Sequence, residues 1–485
     1  MSKNKNRWLL ATNTNNLRMI IAQGLICSPI GFEKYYDDTL SLNKGFIPLF
    51  NKHIPKYALD IVVSEKDYLT ACIIEIDLKS VAGTVKCVKN GAILDIEIEN
   101  IDTDIDQLWI LAPLPISCIA SIIFKSDNDK QTFETKANSR RNVILENLKL
   151  NSSKKDKKLF DLSGNPQELI DQVDVNSFVT ENLINDKVDY KRVYAFGGLL
   201  LNLFYFAKNG ALSNKIYQYF SSLQKDDSDE NVSLIHNYFY DKAVIEESVA
   251  QKIWTKLIQI SINNKDFKDE VINFLESNTL DDPVKEKAQN IAKKLREFEE
   301  NDATILEKFE KSNKPLEKIL FMLFLREDSQ ALIEFDFDLY SNVFKELDYL
   351  NFAMLFGIRN SFINSPGYLR RYLGLQSFIS TKMANYAHEN SNNDSNIKFK
   401  EPLSPLTLQD MLKKDKFKIK IIQELNLEVC MTTKMPNRDK CTINGEDIYK
   451  GLVFSKFLIN EDVFFKKISN IKLTAEQYNK FTKIK

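Results

Sequence analysis

The sequence predicts an α+β protein with a mixed N-terminal sheet domain, a long all-helical middle domain and a small C-terminal α+β module. Three observations lead to this prediction. Residues 1–150 contain short apolar runs separated by turn residues, residues 160–388 place apolar residues at helical spacing, and residues 405–485 mix the two patterns. Polar stretches at 151–158 and 389–404 have the composition of linkers between these regions.

The first region begins with a helix signal. The run from Asn13 to Asn16 offers N-cap side chains for a helix over Leu17–Gln23, and Gly24 is placed to end it. Asn90-Gly91 is a strong signal for a two-residue hairpin turn. Apolar runs predict a sheet of about four or five strands, at 69–78, 85–88, 92–98, 109–115 and 118–124.

The middle region is predicted to be helical, and Gly197-Gly198 in one of its helices is expected to permit close helix packing. The predicted helices are 193–206, 245–262, 284–298, 316–325 and 349–356. The C-terminal region is expected to contain a helix near 408–413 and strands at 427–431 and 450–458.

Composition excludes several classes of protein. The chain has 485 residues and a net charge of −1, so no global field attracts it to nucleic acid or to a membrane. Its six Cys include no C-x-x-C pair and it has three His, so we expect no metal and no cofactor. No segment approaches the roughly 20 apolar residues that a bilayer requires, which predicts a cytoplasmic protein. Phosphate-loop, dinucleotide-binding, hydrolase-elbow and H-E-x-x-H motifs do not occur in the sequence.

Arginine is scarce here, and its clusters suggest contact surfaces. The candidate binding residues are Arg359, Tyr368, Arg370, Arg371 and Tyr372 near one predicted loop, together with Arg140 and Arg141 upstream of a lysine-rich run. Arginine and tyrosine suit a protein interface, and they also suit phosphate and base contacts. Helix capping and ion pairs within the helical domain are a third explanation for the first cluster, and a solvated linker is an alternative for the lysine-rich run. A nucleic-acid role predicts steep salt dependence.

Candidate catalytic groups are few. Glu75 and Glu97 lie on predicted strands, where a carboxylate facing solvent is the default, and His53 follows Lys52 in a loop marked by prolines. Either Glu could act as a catalytic acid and His53 as a general base.

The segment from Leu9 to Leu25, with Thr12 before Asn16-Leu17 and Gly24-Leu25 at its end, resembles the opening of DarT-like ADP-ribosyltransferases. This resemblance, over about 60 residues, implies a nicotinamide pocket framed by a strand end and the helix after it, and an enzyme that uses NAD through the N-terminal domain. The position that such proteins give to His is Leu10 or Ala11 here.

Three stretches, GLICSPIGFEKYYDDTLSLNKGFIPLF, LWILAPLPISCIASIIFKSDNDK and FGIRNSFINSPGYLRRYLGLQSFISTKMANYAH, are similar to an uncharacterised bacterial family of defence-system accessory proteins. This second resemblance implies a non-enzymatic subunit of an anti-phage or anti-plasmid complex. Its partner would be an ATPase, helicase or nuclease of the same system, and DNA or RNA is a further possible ligand.

Overall fold

The structure is a computed structural model. It describes residues 7–27, 38–41, 45–63, 70–89, 92–102, 104–138, 148–152, 157–160, 188–206, 256–262, 266–277, 282–296, 320, 355–363, 373–389, 396–402, 429–432, 440–443 and 446–449. Contacts divide the chain into two compact units. The sheet unit comprises Met1–Val193 with Arg370–Lys485, and the helical unit comprises Tyr194–Leu369.

The sheet unit contains both strands and helices, with a mixed sheet of eight strands. The described part of the chain forms the strands β1 Trp8–Asn13, β2 Leu25–Ile26, β3 Phe46–Asn51, β4 Ala71–Ile76, β5 Val81–Ala82, β6 Thr84–Lys89, β7 Ala92–Glu97, β8 Gln107–Leu111, β9 Leu114–Pro115, β10 Ile119–Phe124, β11 Leu150–Ser152, β12 Lys398–Phe399, β13 Val429–Thr432, β14 Lys440–Ile443 and β15 Glu446–Tyr449. The large sheet runs β11-β10-β4-β1-β3-β8-β6-β7. Its pairs are antiparallel except β10 with β11, which is parallel.

Among the described residues, seven helices have defined bounds: α1 Thr14–Gln23, α2 Lys56–Val63, α3 Asp127–Asn138, α4 Tyr190–Phe206, α5 Phe267–Glu276, α6 Asp282–Arg296 and α7 Leu373–Glu389. Residues 256–262 and 355–363 are also helical. None of the described helices is long and apolar enough to cross a membrane. The β2–β9 and β5–β12 pairs form two further small sheets, and β13–β14–β15 form an antiparallel meander.

Strand β1 lies in the middle of the large sheet, between β3 and β4, and all six of its residues are buried. Its odd-numbered side chains Leu9 and Ala11 pack with α2 in one apolar cluster. Its even-numbered side chains lie on the opposite face because successive side chains of a strand alternate. A strand covered on both faces has a nearly continuous apolar sequence, as Trp-Leu-Leu-Ala does here.

The predicted helix after β1 is confirmed, together with its end signals. The Asn13 side chain accepts hydrogen bonds from the backbone N–H groups of Asn15 and Asn16, at 3.0 and 2.9 Å. Gly24 ends the helix with φ 78° and donates its N–H to the carbonyl of Ile20. Glycine is the usual residue here because a Cβ is strained in the left-handed region.

The predicted hairpin is also confirmed. Strands β6 and β7 pair antiparallel, with Lys89 opposite Ala92, so that two residues connect them. The sheet is larger than the expected four or five strands, since β1, β3 and the short β11 join it. β11 overlaps the start of the stretch at 151–158 that the sequence suggested as a linker, and its pairing with β10 extends the sheet edge into that stretch.

Helix α7 packs against the sheet unit through buried polar contacts. Gln376 donates to the carbonyl of Ile21 at 2.9 Å, and His388 donates from Nε2 to the carbonyl of Pro113 at 3.0 Å. Because the carbonyl can only accept, this bond fixes the imidazole as the Nε2–H tautomer. The sequence pattern placed this helix in the helical middle region, whereas its contacts group it with the sheet unit.

The helical unit brings its helices into close contact. A Cβ built at Gly198 of α4 would collide with the backbone of Gly357 and Ser361, so the helix at 355–363 approaches α4 where only hydrogen fits. The prediction that glycine here permits close packing is therefore confirmed. In the same unit, Arg296 of α6 forms a bidentate pair with Glu276 of α5 at 2.6 and 2.7 Å.

Candidate binding cleft at one end of the central strand

A cleft of about 620 Å³ opens in the sheet unit at the N-terminal end of β1, where β4 ends and β10 begins. A rim from residues 398–400 completes it, although these residues lie about 300 positions later in the chain. The lining residues are Trp8, Glu75, Ile76, Asp77, Leu78, Lys79, Ser80, Val81, Ala82, Ile98, Glu99, Ile101, Ala120, Lys398, Phe399 and Lys400.

Glu75 is one of the lining residues, and both oxygens of its carboxylate accept hydrogen bonds. Arg7 Nε donates to Oε1 at 3.2 Å and Ser121 Oγ donates to Oε2 at 2.6 Å. The Glu75 and Arg7 side chains remain 27% and 32% exposed. The carboxylate is therefore neutralised on one oxygen and held on the other, and it remains partly exposed.

The wall after β4 is a tight turn. The Asp77 carboxylate accepts the backbone N–H of Lys79 at 3.0 Å, which starts a 3-10 turn over Leu78–Ser80. Cys118 lies behind this wall, and burial raises the pKa of its thiol to about 12. A thiol with so high a pKa carries almost no thiolate at neutral pH and is therefore a poor nucleophile.

The far rim is fixed by backbone and amide contacts. Strand β12 pairs with β5, and Lys400 donates its N–H to the carbonyl of Ser80 at 2.7 Å. The Asn396 side chain accepts the backbone N–H of Thr84 and donates to its hydroxyl, both at 2.8 Å. Gly83 has φ 116°, and a Cβ there would meet the Asn396 carbonyl oxygen at 2.6 Å, so the glycine permits this close approach.

The charges of the lining balance. Glu75, Asp77 and Glu99 supply three carboxylates, and Lys79, Lys398 and Lys400 supply three ammonium groups. The apolar part includes Trp8 and Phe399, which are 3% and 4% exposed. The cleft thus combines an apolar base with charged groups of both signs.

The opposite, C-terminal end of β1 is closed by a buried carboxylate. Asp38 is 0% exposed and accepts hydrogen bonds from Thr12 Oγ1 at 2.7 Å, Asn16 Nδ2 at 3.0 Å and the Leu40 N–H at 2.9 Å. The neighbouring Thr39 hydroxyl donates to the carbonyl of Ala11 at 2.6 Å. This is where the DarT-like resemblance implied a nicotinamide pocket, and the described side chains there bond to one another.

The candidate residues from the sequence lie in different places. Glu75 lines the cleft, whereas Glu97 is exposed on β7 and accepts a hydrogen bond from Thr84 Oγ1 at 2.6 Å. His53 is exposed on the turn after β3. Arg359, in the helical unit, stacks over the Phe267 ring at 5.3 Å. Tyr368, Arg370, Arg371, Tyr372, Arg140 and Arg141 lie outside the described residues.

Sequence reasoning missed the rim of the cleft and Asp38. The rim lay in a stretch with the composition of a linker, yet Ile397 to Lys400 alternates apolar and polar residues, and that alternation is the available signal. Asp38 could not be identified locally as a buried carboxylate, because its side-chain donors Thr12 and Asn16 come from β1 and α1.

Within the described ranges, no three His, Cys, Asp or Glu side chains lie close enough to hold a metal ion. Comparison with known proteins finds no family model, no curated protein and no solved structure that matches this chain.

Proposed function

We propose that this chain is a non-enzymatic subunit of a bacterial anti-phage or anti-plasmid defence complex, and that the cleft binds a segment of a protein partner. The observation that carries the binding role is the lining of the cleft, in which balanced charges surround an apolar base. The defence setting rests on the resemblance of three stretches of the sequence to defence accessory proteins. The partner implied by that resemblance is an ATPase, helicase or nuclease.

The charge balance favours a protein segment over nucleic acid. A surface that binds a phosphate backbone needs an excess of Lys and Arg, because each phosphate contact neutralises a negative charge. The cleft has three lysines against three carboxylates, so it offers no such excess. A peptide with charges of both signs would find a partner for each, and such pairing fixes orientation and specificity.

The apolar base supports the same role. Interfaces gain most of their binding energy from a few well-packed aromatic and aliphatic contacts surrounded by polar groups. Trp8, Ile76 and Phe399 provide such a base, and the lysines at 398 and 400 border it. Because β12 is held by β5 and by Asn396, the rim is preorganised, and a bound segment loses less free energy in ordering it.

The test begins with tagged protein purified from its native host, with co-eluting protein and nucleic acid identified. A photo-crosslinking amino acid at Ala82, which is exposed and lines the cleft, then reports what the cleft touches. Lys149, exposed beside β11 and not part of the lining, is the matched control position. We expect one stoichiometric partner, crosslinked from position 82 and not from position 149.

Charge reversal of the rim completes the test. Lys398→Glu with Lys400→Glu should abolish co-purification of that partner, whereas Lys149→Glu should retain it. A monomeric protein without a partner would contradict the proposal. So would a partner whose yield stays the same when the rim lysines are replaced by glutamate.

The alternative function is an ADP-ribosyltransferase-like enzyme that uses NAD. One observation favours it: Glu75 lines a cleft large enough for a small molecule, and Lys398 and Lys400 are exposed on its rim, where they could contact a diphosphate. NAD turnover by the purified protein that Glu75→Gln abolishes and Glu97→Gln preserves would establish this function. No turnover at millimolar NAD, in protein that binds its partner, would exclude it.

A further inference from the structure

Strand β7 is the outer strand at one end of the large sheet. It pairs with β6 on one side, and among the described residues no strand pairs with its other side. A sheet edge of this kind presents a row of backbone N–H and C=O groups to an added strand.

The register of the hairpin determines which backbone groups of β7 face outward. Lys89 and Ala92 flank the two-residue turn, and the pair that flanks such a turn exchanges both backbone hydrogen bonds. At the other end of the hairpin, Ile98 donates its N–H to the carbonyl of Gly83 at 3.0 Å. Ile98 lies an even number of residues from Ala92, so this bond fits the same alternation of hydrogen-bonded pairs. Hydrogen-bonded pairs alternate along the ladder. The backbone groups of Ile93, Asp95 and Glu97 therefore point away from β6, toward the open edge.

The side chains of β7 differ between the two faces of the sheet. On one face, Leu94 is 47% exposed, which is high for a large apolar side chain, and Ile96 is half-buried beside it. On the other face lie the half-buried Ile93 and the exposed Asp95 and Glu97. Asp95 remains 63% exposed although Lys86 Nζ lies 2.8 Å from it.

The surroundings of the edge are acidic. Glu99, Asp102 and Asp104 follow β7 and, like Asp95, are exposed, while Lys89 pairs with Asp102 at 3.2 Å. This charge disfavours a second copy of the chain, since two β7 strands side by side would bring like carboxylates together.

We propose that the β7 edge binds an extended segment of a protein partner by strand addition. The segment alternates apolar residues, which pack on Leu94 and Ile96, with basic residues, which pair with Asp95 and Glu97. Backbone hydrogen bonds to residues 93, 95 and 97 would supply affinity, and the alternation would supply specificity. This inference concerns the backbone edge of β7, which adjoins the cleft at Glu99 but is not part of its lining, and it does not depend on what the cleft binds.

The experiment uses the full-length chain and a nine-residue peptide that alternates Val and Lys, with binding followed by fluorescence anisotropy. A peptide that alternates Val and Glu is the control for charge and should bind at least tenfold more weakly. Two further peptides carry N-methyl groups on every Val or on every Lys. In an added strand only one of these sets directs its N–H groups to β7, so one peptide should lose at least tenfold in affinity and the other should stay within about threefold.

A variant tests the same edge from the protein side. Leu94→Lys removes the exposed apolar contact and adds a charge that repels the peptide, so the affinity should fall at least tenfold while circular dichroism is unchanged. Lys149→Leu, on a distant exposed position, should leave it unchanged. No binding, equal effects of the two N-methylated peptides, or full binding by a folded Leu94→Lys chain would overturn the proposal. A dimer in solution that Leu94→Lys dissociates would show that the β7 edge binds a second copy of the chain, and would overturn the assignment of this edge to a protein partner. The N-methyl comparison uses the unaltered protein, so it decides the matter even if the variant does not fold.

Discussion

The two ends of β1 hold carboxylates in opposite ways. At the C-terminal end, Asp38 is 0% exposed and its oxygens accept hydrogen bonds from Thr12, Asn16 and Leu40. At the N-terminal end, the Glu75 carboxylate accepts hydrogen bonds from two side chains, and 27% of the Glu75 side chain remains exposed beside an open cleft. One end is closed and the other is accessible.

The difference is the one expected between a structural site and the proposed binding site. A buried carboxylate is tolerated only when donors replace its water, and once they do, little of it is left to offer a ligand. A partly exposed carboxylate can change partners at modest cost, because water replaces whatever is lost. We therefore place binding at the end of β1 that holds Glu75 and assign Asp38 to stability.

Asp38→Ala should have the largest effect on stability. It leaves three buried donors without an acceptor, which costs about 4 kcal/mol of the free energy of unfolding. Urea unfolding in a Trp254→Phe background, followed by Trp8 and Trp109 fluorescence, measures it in the sheet unit. Asp102→Ala, where the carboxylate is 62% exposed, should change stability by less than about 0.5 kcal/mol. Equal effects of the two substitutions would remove the distinction between the ends.

Acid should weaken the attachment of α7 to the sheet unit. Burial lowers the pKa of His388 to about 4, against about 6.5 for an exposed imidazole. As the pH falls below about 6.5 the unfolded chain binds the proton and the folded chain does not, so stability declines until about pH 4. Between pH 7 and pH 5 the loss is about 2 kcal/mol.

The control is His388→Gln, which keeps a hydrogen-bond donor and removes the titration. The urea concentrations at the unfolding midpoint at pH 7 and at pH 5 should lie closer together in this variant than in the wild type. A wild-type chain that shows no more pH dependence than the variant would show that His388 titrates normally when folded.

Glu75→Gln should cost only about 1 kcal/mol, because the pair with Arg7 is partly exposed and the amide oxygen can still accept from Ser121. The same urea measurement applies, with Glu97→Gln as the matched change on an exposed strand. A loss as large as that of Asp38→Ala would mean that Glu75 is structural, and the contrast between the two ends would fail.

Lys398→Ala with Lys400→Ala should have the smallest effect on stability, below about 0.5 kcal/mol, since both side chains are exposed. The yield of partner crosslinked from position 82 should nevertheless fall at least fivefold. Destabilisation in step with the loss of partner would indicate damage to the rim rather than loss of contacts.

Local signals allowed correct prediction from sequence. Asn13 and Gly24 bound α1, Asn90-Gly91 connects β6 and β7, and Gly198 lies at a close helix contact, each detectable within a few residues. Strand β3 was not predicted from the sequence because it contains Pro48, and proline argues against an internal strand. The structure accommodates it because β1 pairs with β3 only through Asn51 and Phe50, beyond the proline.

The cleft could not be predicted in the same way. It is assembled from the ends of three strands, from the segments 77–82 and 98–101, and from residues 398–400, and no local pattern states which distant segments will meet. Glu75 was identifiable as a candidate from its residue type, but its partners Arg7 and Ser121 lie 68 and 46 positions away along the chain. The three-domain division and the Arg/Tyr cluster stay predictions.

The pairing of β5 with β12 has a consequence for synthesis. Residues 194–369 are inserted between the two segments of the sheet unit, and the ribosome must complete them before α7 and β12 emerge. At roughly 5–20 residues per second this delay is on the order of ten seconds or more. During that time the nascent sheet lacks the helix that covers Ile21 and Pro113, as well as the strand that borders the cleft. The cleft is therefore assembled late in translation, so a ligand cannot occupy the finished site before the inserted helices have been made.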